Sequence, residues 1–326
     1  MRTTAEAFDE LDDNLKLDPN DRRAAEDCHN AITELLLRLG LIVTAFLQGS
    51  FARKTMLAPL RDIDKVVVLD PAMAGLSADQ VMDRIQAAVA VGYPGVTFER
   101  SRHALKIDFG PHSFYFDTVP AWETTTDDDD VLIANRDSGS WKRSNTRELI
   151  RVVAERNAAT DGRFIHQVRM GKQVAKHRLD GIVPGLHVES WAYRAIEKPL
   201  PHDEALTRIL EAGADMLGGR YTEPTGVDVI SARLKLNVIW TAKPVLTDAA
   251  RQARQARQLA DAGDHNEAIR IWHELLGDCF PEAAPQDDAE ALQRSFQGGS
   301  VTSSGTVTTA RTTGQPSRPG RSWRTA

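Results

Sequence analysis

Cysteine is nearly absent: Cys28 and Cys279 are the only 2 in 326 residues. A disulfide framework or a thiolate metal site needs more than that. Long apolar runs are missing as well. No stretch is long enough to span a bilayer, and the opening MRTTAEAFDELDDNLKLDPND has no signal-peptide core. The chain therefore reads as cytoplasmic, with no membrane partner. It also lacks a basic excess. Its 40 Lys and Arg face 46 Asp and Glu, a formal net charge of −6. A surface for long nucleic acid is not expected, whereas a small nucleotide needs only a few local cations. His103, His112, His166, His177 and His187 form no His-Glu-x-x-His arrangement, which argues against zinc. No internal repeat is visible.

What is present is ordinary globular material, 41% hydrophobic and 26% charged, in a length that suits about two domains. DPNDRRAAEDCHNAITELLLRLG has helical periodicity in Ala31, Ile32, Leu35, Leu36 and Leu39, with Gly40 as a stop. LIVTAFLQG and DIDKVVVLD read as strands, SADQVMDRIQAAVAVG as a helix. VTFERS, ALKIDFG and SFYFDTVPAW are three further β-rich runs. From Ile165 the periodicity turns helical in IHQVRMGKQVAKHR, HVESWAYRAIEK, DEALTRILEAGADML, VISARLKLNVIW and HNEAIRIWHELLG. The expectation is a mixed sheet with flanking helices over 1–164 and a helical domain over 165–281. Residues 282–326, rich in Gly, Ser, Thr and Pro, read as a disordered tail.

The chemistry gathers at FLQGSFARKTMLAPLRDIDKVVVLD. Two carboxylates, Asp62 and Asp64, open a strand of Val66, Val67, Val68 and Leu69. Residues two apart on a strand share a face, so both charges aim at one point, which favours a cation there. A bare Asp-x-Asp is ordinarily a solvated strand end. Here it follows Gly49-Ser50, a turn that lets the backbone approach phosphate, and Thr55. Mg²⁺ takes one or two carboxylates plus substrate phosphates, and a second metal needs a further carboxylate. Asp117, in SFYFDTVPAW, is the candidate. Lys172 and Lys176 lie one helical turn apart, as a phosphate clamp or as a solvated basic face. The acidic run TTTDDDDV and the stripe Arg251, Arg254, Arg257 read as a solvated loop and a solvated helix face.

Taken in order, Gly-Ser, Thr, Asp-x-Asp and a later strand Asp resemble the polymerase-β-like nucleotidyltransferase superfamily. HQVRMGKQVAKHR, VPGLHVESWA and NEAIRIWHELLGDCFP are similar to the helical half of bacterial CD-NTases. These are cyclic-oligonucleotide synthases related to cGAS and the 2′–5′ oligoadenylate synthetases. The resemblance runs to Pro281 and implies an α+β fold, the mixed nucleotidyltransferase sheet plus a C-terminal helical domain. It implies Gln48, Gly49 and Ser50, with Lys172 and Lys176, at the nucleoside triphosphate. It implies Asp62, Asp64 and Asp117 as catalytic ligands of Mg²⁺ or Mn²⁺. The implied product is a cyclic di- or trinucleotide acting in antiphage defence (CBASS). Several relatives use a mobile C-terminus for attachment by a ubiquitin-ligase-like partner, and the small Ala326 is compatible with that. The pattern departs at Gly185, where many relatives carry a Ser near the base, so base preference stays open.

Two other readings share these residues. One is nucleotidyl transfer to an RNA end, a protein or a small molecule, which uses the same carboxylates. The other is a non-catalytic nucleotide sensor, which has no need of all three.

Overall fold

The computed structural model describes residues 2–110, 114–124, 131–284, 300–301 and 307–308. The chain divides into two compact units, Met1–Glu282 and Ala283–Ala326. Of the second, a short antiparallel pairing of Ser300–Val301 with Val307–Thr308 is described. Beyond residue 284 the rest of the expected tail, like the aspartates of TTTDDDDV and His112, lies outside the described residues.

In the first unit, β1 (Ile42–Leu47), β2 (Asp62–Leu69), β3 (Thr97–Arg100), β4 (Leu105–Asp108) and β5 (Tyr115–Glu123) form a sheet in the order β1-β2-β5-β4-β3. β6 (Val131–Asn135) pairs with the far end of β5 and with β7 (Ser140–Ser144). Among the described residues only β2 and β5 run parallel; the other pairings are antiparallel. Strand alternation divides the central residues between two faces. Ile63, Val67, Leu69 and Phe116 join the larger core with α2 (Pro19–Arg38) and α4 (Ala78–Gly92). Val66, Val68, Val119 and Ala121 form a second cluster on the opposite face. Asp62 and Asp64 precede Val66 at steps of two and so share that second face.

The helical layer contains α6 (Phe164–Leu179), α7 (Gly185–Ala195), α8 (His202–Met216), α9 (Leu236–Asp261) and α10 (His265–Leu276). α5 (Thr146–Ala159) leads into it from the sheet. Sequence periodicity passed over α1 (Thr4–Leu15), although Thr3 and Glu6 make a capping box and Ala7, Phe8, Leu11 and Leu15 are buried. It packs against α6, α8 and α10 rather than on the sheet, with the Phe8 ring 5.0 Å from Trp272 and 5.2 Å from Phe280. The first residues thus belong with the helical half. VISARLKLNVIW, expected as one helix, is a 3₁₀ turn (Ile230–Arg233) followed by the start of α9. Arg251, Arg254 and Arg257 do lie on α9, but they pair with Asp248, Glu211 and Asp203. Among the described residues no helix is long and apolar enough to cross a membrane.

Candidate active site

Three strands and one turn build the site. The parallel register of β2 and β5 sets Asp64 beside Asp117 and Asp62 beside Tyr115. β4 then sets Lys106 beside Asp117. Its ammonium lies 3.9 Å from the centre of the Tyr115 ring. At the end of β1 the backbone amide of Gln48 donates to the carbonyl of Asp64 at 2.9 Å. The next residue, Gly49, has φ +67 and opens α3 (Gly49–Ala52), a helix of a single turn. A Cβ on Gly49 would stand 1.8 Å from Asp64 Oδ2, so only glycine fits against the carboxylate.

Asp64 and Asp117 both hold their protons more tightly than free carboxylates do. Burial, then the charges of Asp62 and Asp117, push Asp64 up to about 6, with Arg53 pulling the other way. Burial and Asp62 also raise Asp117, opposed by Lys106. Such a set is short of positive charge, as hard-cation sites are before they fill. Among the described residues, no three His, Cys, Asp or Glu side chains make a ready-made metal cage. The donor set fits an ion that completes its shell with substrate phosphates and water, as Mg²⁺ does.

A cleft of about 420 Å³ opens beside the carboxylates, lined by Ser50, Arg61, Asp62, Lys172, Lys176 and Gly185 among others. Ser50 and Asp62 thus face the same space as the two lysines of α6. Lys176 is exposed at the rim. Lys172 departs from the clamp reading. Its ammonium donates to Glu189 Oε1 at 2.6 Å, to the Thr55 carbonyl at 3.0 Å and to Thr55 Oγ1 at 3.1 Å. An ammonium has three protons, so none is left for a phosphate while this network stands. Gln48 contributes its backbone; its side chain makes no cap hydrogen bond. At Gly185 a Cβ would lie 3.0 Å from Lys172 Cε, so a side chain there would press on the lysine stem.

Sequence reading missed Arg53 and Glu189. Glu189 is 1% exposed and holds Arg53 in a two-pronged bond, 2.7 Å from Nε and 3.2 Å from Nη2. Burial alone would raise its pKa, but Arg53 and Lys172 overcome that and hold it well below the usual carboxylate range. The available signal was a charge inside HVESWA, on a helix whose apolar neighbours Val188, Trp191 and Ala192 are all buried. Nearby His187, expected only as a lone histidine, meets the Tyr221 hydroxyl through Nδ1 at 2.7 Å. Burial pushes it down to about 4.

Residues 1–157 match the Second Messenger Oligonucleotide or Dinucleotide Synthetase domain, SMODS. A probable cyclic nucleotide synthase of Bacillus cereus strain VD146 is 21% identical over 273 residues, covering 72% of this chain and 81% of that protein. CdnC of E. coli MS115-1, solved with ATP, superposes with a TM-score of 0.66 at 16% identity, covering 85% of this chain and 98% of that one. CdnG of Bradyrhizobium diazoefficiens, a CD-NTase solved with GTP, gives 0.66 at 16% identity over 83% of this chain and 97% of its own. CdnC has also been solved in complex with HORMA-deltaN. The synthetase domain occupies the sheet half, and over most of its length the chain shares the fold of CdnC and of the CD-NTase CdnG.

Proposed function

We propose that this chain joins nucleoside triphosphates and closes the product into a cyclic di- or trinucleotide, with Asp62, Asp64 and Asp117 as the catalytic carboxylates. The observation that carries the reading is the register of Asp64 against Asp117, with Gly49 pressed onto Asp64 and the cleft running on to Lys176. The donor triphosphate lies along that cleft, its phosphates beside the Gly49-Ser50 turn and within reach of Lys176. A ribose hydroxyl attacks the α-phosphorus. The new O–P bond forms as the bond to the bridging oxygen breaks, and pyrophosphate leaves. Asp117 accepts the hydroxyl proton at its carboxylate, a role helped by its raised proton affinity. Asp62 and Asp64 would hold Mg²⁺ or Mn²⁺ with Asp117. Such an ion supplies the positive charge that the phosphates and leaving group require. Fixed positions and charge complementarity do the rest.

Ring closure asks the linear intermediate to return with its own triphosphate in the donor place. A short intermediate retained in the cleft favours this, because its free end is held at high effective concentration. A cyclic messenger of this kind acts on an effector in antiphage defence. Regulation through a protein partner, with the C-terminal segment as the attachment point, completes the proposal; CdnC, of similar fold, has been solved in complex with HORMA-deltaN. The test is incubation with the four nucleoside triphosphates and Mg²⁺ or Mn²⁺, followed by mass spectrometry. Cyclic masses without any added acceptor support the reading. Product only with an added RNA, protein or small molecule points to transfer onto that acceptor.

A further inference from the structure

The turn beside the carboxylates is held from behind. Arg53, Lys54 and Thr55 follow α3, and each is tied to the helical layer. Lys54 has φ +59, a left-handed conformation that L side chains rarely adopt. Its carbonyl accepts from Arg169 Nη1 of α6 at 3.0 Å. One helical turn on, Lys172 caps the Thr55 carbonyl at 3.0 Å. Glu189 of α7 gathers the remainder. Its Oε1 accepts from Thr55 Oγ1 at 2.8 Å and from Lys172, and both its oxygens accept from Arg53. Thr55 is wholly buried. On the other side, Thr55 N donates to Ser50 O at 2.9 Å and Arg53 N to Gly49 O at 3.2 Å. Ser50 and Gly49 are therefore clamped between Asp64 on the sheet and Glu189 on the helices.

We infer that Glu189 is a positioning residue for the nucleotidyl transfer: through Arg53, Thr55 and Lys172 it sets the Gly49-Ser50 turn against Asp64. The inference rests on the proposed function for its kinetic consequence and on the hydrogen bonds alone for the anchoring. Two cations share one carboxylate in a buried place, so neutralising Glu189 leaves both without their counter-charge. Broken buried pairs rearrange or draw in water, and either loosens the turn. A displacement of about an ångström at a reacting site lowers turnover steeply without a matching loss of substrate affinity.

Hydrogen–deuterium exchange and steady-state kinetics on the full chain test this together. The variants are Glu189→Gln, Arg53→Lys, which keeps the charge but loses the fork, and Thr55→Val. The two milder changes keep the test alive if Glu189→Gln fails to fold. The expected result is exchange at residues 49–55 faster by about tenfold or more, with α8 and α10 unchanged. The expected kinetics are a fall in kcat of about tenfold or more with a smaller change in KM. Wild-type exchange at 49–55 in all three variants overturns the inference. So does lost protection there with kcat intact, which would make the network purely structural. If the wild-type chain makes no product from triphosphates, the proposed function falls, and the exchange arm still decides whether Glu189 anchors the turn.

Discussion

Gly49 and Asp64 occupy one another's space so closely that a single methyl on the glycine would overlap the carboxylate, 1.8 Å from Oδ2. The position also has φ +67, which L-residues adopt at a cost of about 1–2 kcal/mol. Gly49→Ala must therefore move either the turn or Asp64. Turnover is expected to fall by about a hundredfold or more. The melting temperature should drop only by the few degrees that such a strain implies. Thermal melts and initial rates on the same preparation check both.

Asp64 gives a prediction about stability and its sign. Its folded pKa of about 6 lies above the ordinary 3.8, so the metal-free native state binds the proton more tightly than the unfolded chain. The group's contribution is favourable below pH 3.8 and is lost as pH rises to 6. Asp64→Asn should therefore stabilise the metal-free chain at pH 7, on the order of 1–3 kcal/mol, and abolish turnover. Urea melts at pH 7 with and without Mg²⁺ are the measurement. Mg²⁺ should stabilise the wild type and not the variant.

The two lysines of α6 should separate cleanly. Lys176→Ala is expected to raise KM for triphosphate while leaving stability within about 0.5 kcal/mol, since the side chain is exposed. Lys172→Ala breaks a buried pair with Glu189 and should destabilise by about 3–5 kcal/mol. An unchanged KM for Lys176→Ala assigns that lysine to the solvated face.

Lys65 is buried on the opposite face of β2 from Asp64, and its ammonium donates to the His29 carbonyl and Thr33 Oγ1, both at 2.8 Å. Burial lowers its pKa to about 7. The unfolded chain then binds more protons between pH 7 and 10.5, so this group's contribution to stability rises with pH over that window. Lys65→Met should remove the rise, and the difference between the two stability–pH curves isolates it. Equal slopes from pH 7 to 9.5 would contradict the assignment.

The sheet half was legible because its signals are local. A Val-rich strand preceded by Asp-x-Asp, a Gly-Ser turn and an Asp inside an aromatic strand each read correctly by alternation and turn chemistry. The register that brings Asp64 to Asp117 is not local; the need of a second metal for a further carboxylate and the family resemblance suggested that they meet, not the strand pattern. Lys172 shows the limit most sharply. Periodicity put it on the same face as Lys176, yet one is exposed at the rim and the other is closed into a network with Glu189, 17 residues away, and Thr55, 117 residues away. Buried ion pairs between distant segments leave no periodic trace. α1 was missed for a related reason. It is short and acidic, and its apolar stripe becomes meaningful only once Trp272 and Phe280 are there to meet Phe8.

The most direct test of the central claim uses triphosphates labelled at the α-phosphate, incubated with the chain and a divalent cation, then treated with alkaline phosphatase. In a ring every α-phosphate is internal and no terminal phosphate remains. The account predicts short labelled products that survive the phosphatase and that disappear with Asp62→Asn or Asp64→Asn. Ladders of linear oligomers only, or label transferred solely to an added RNA or protein, would contradict it.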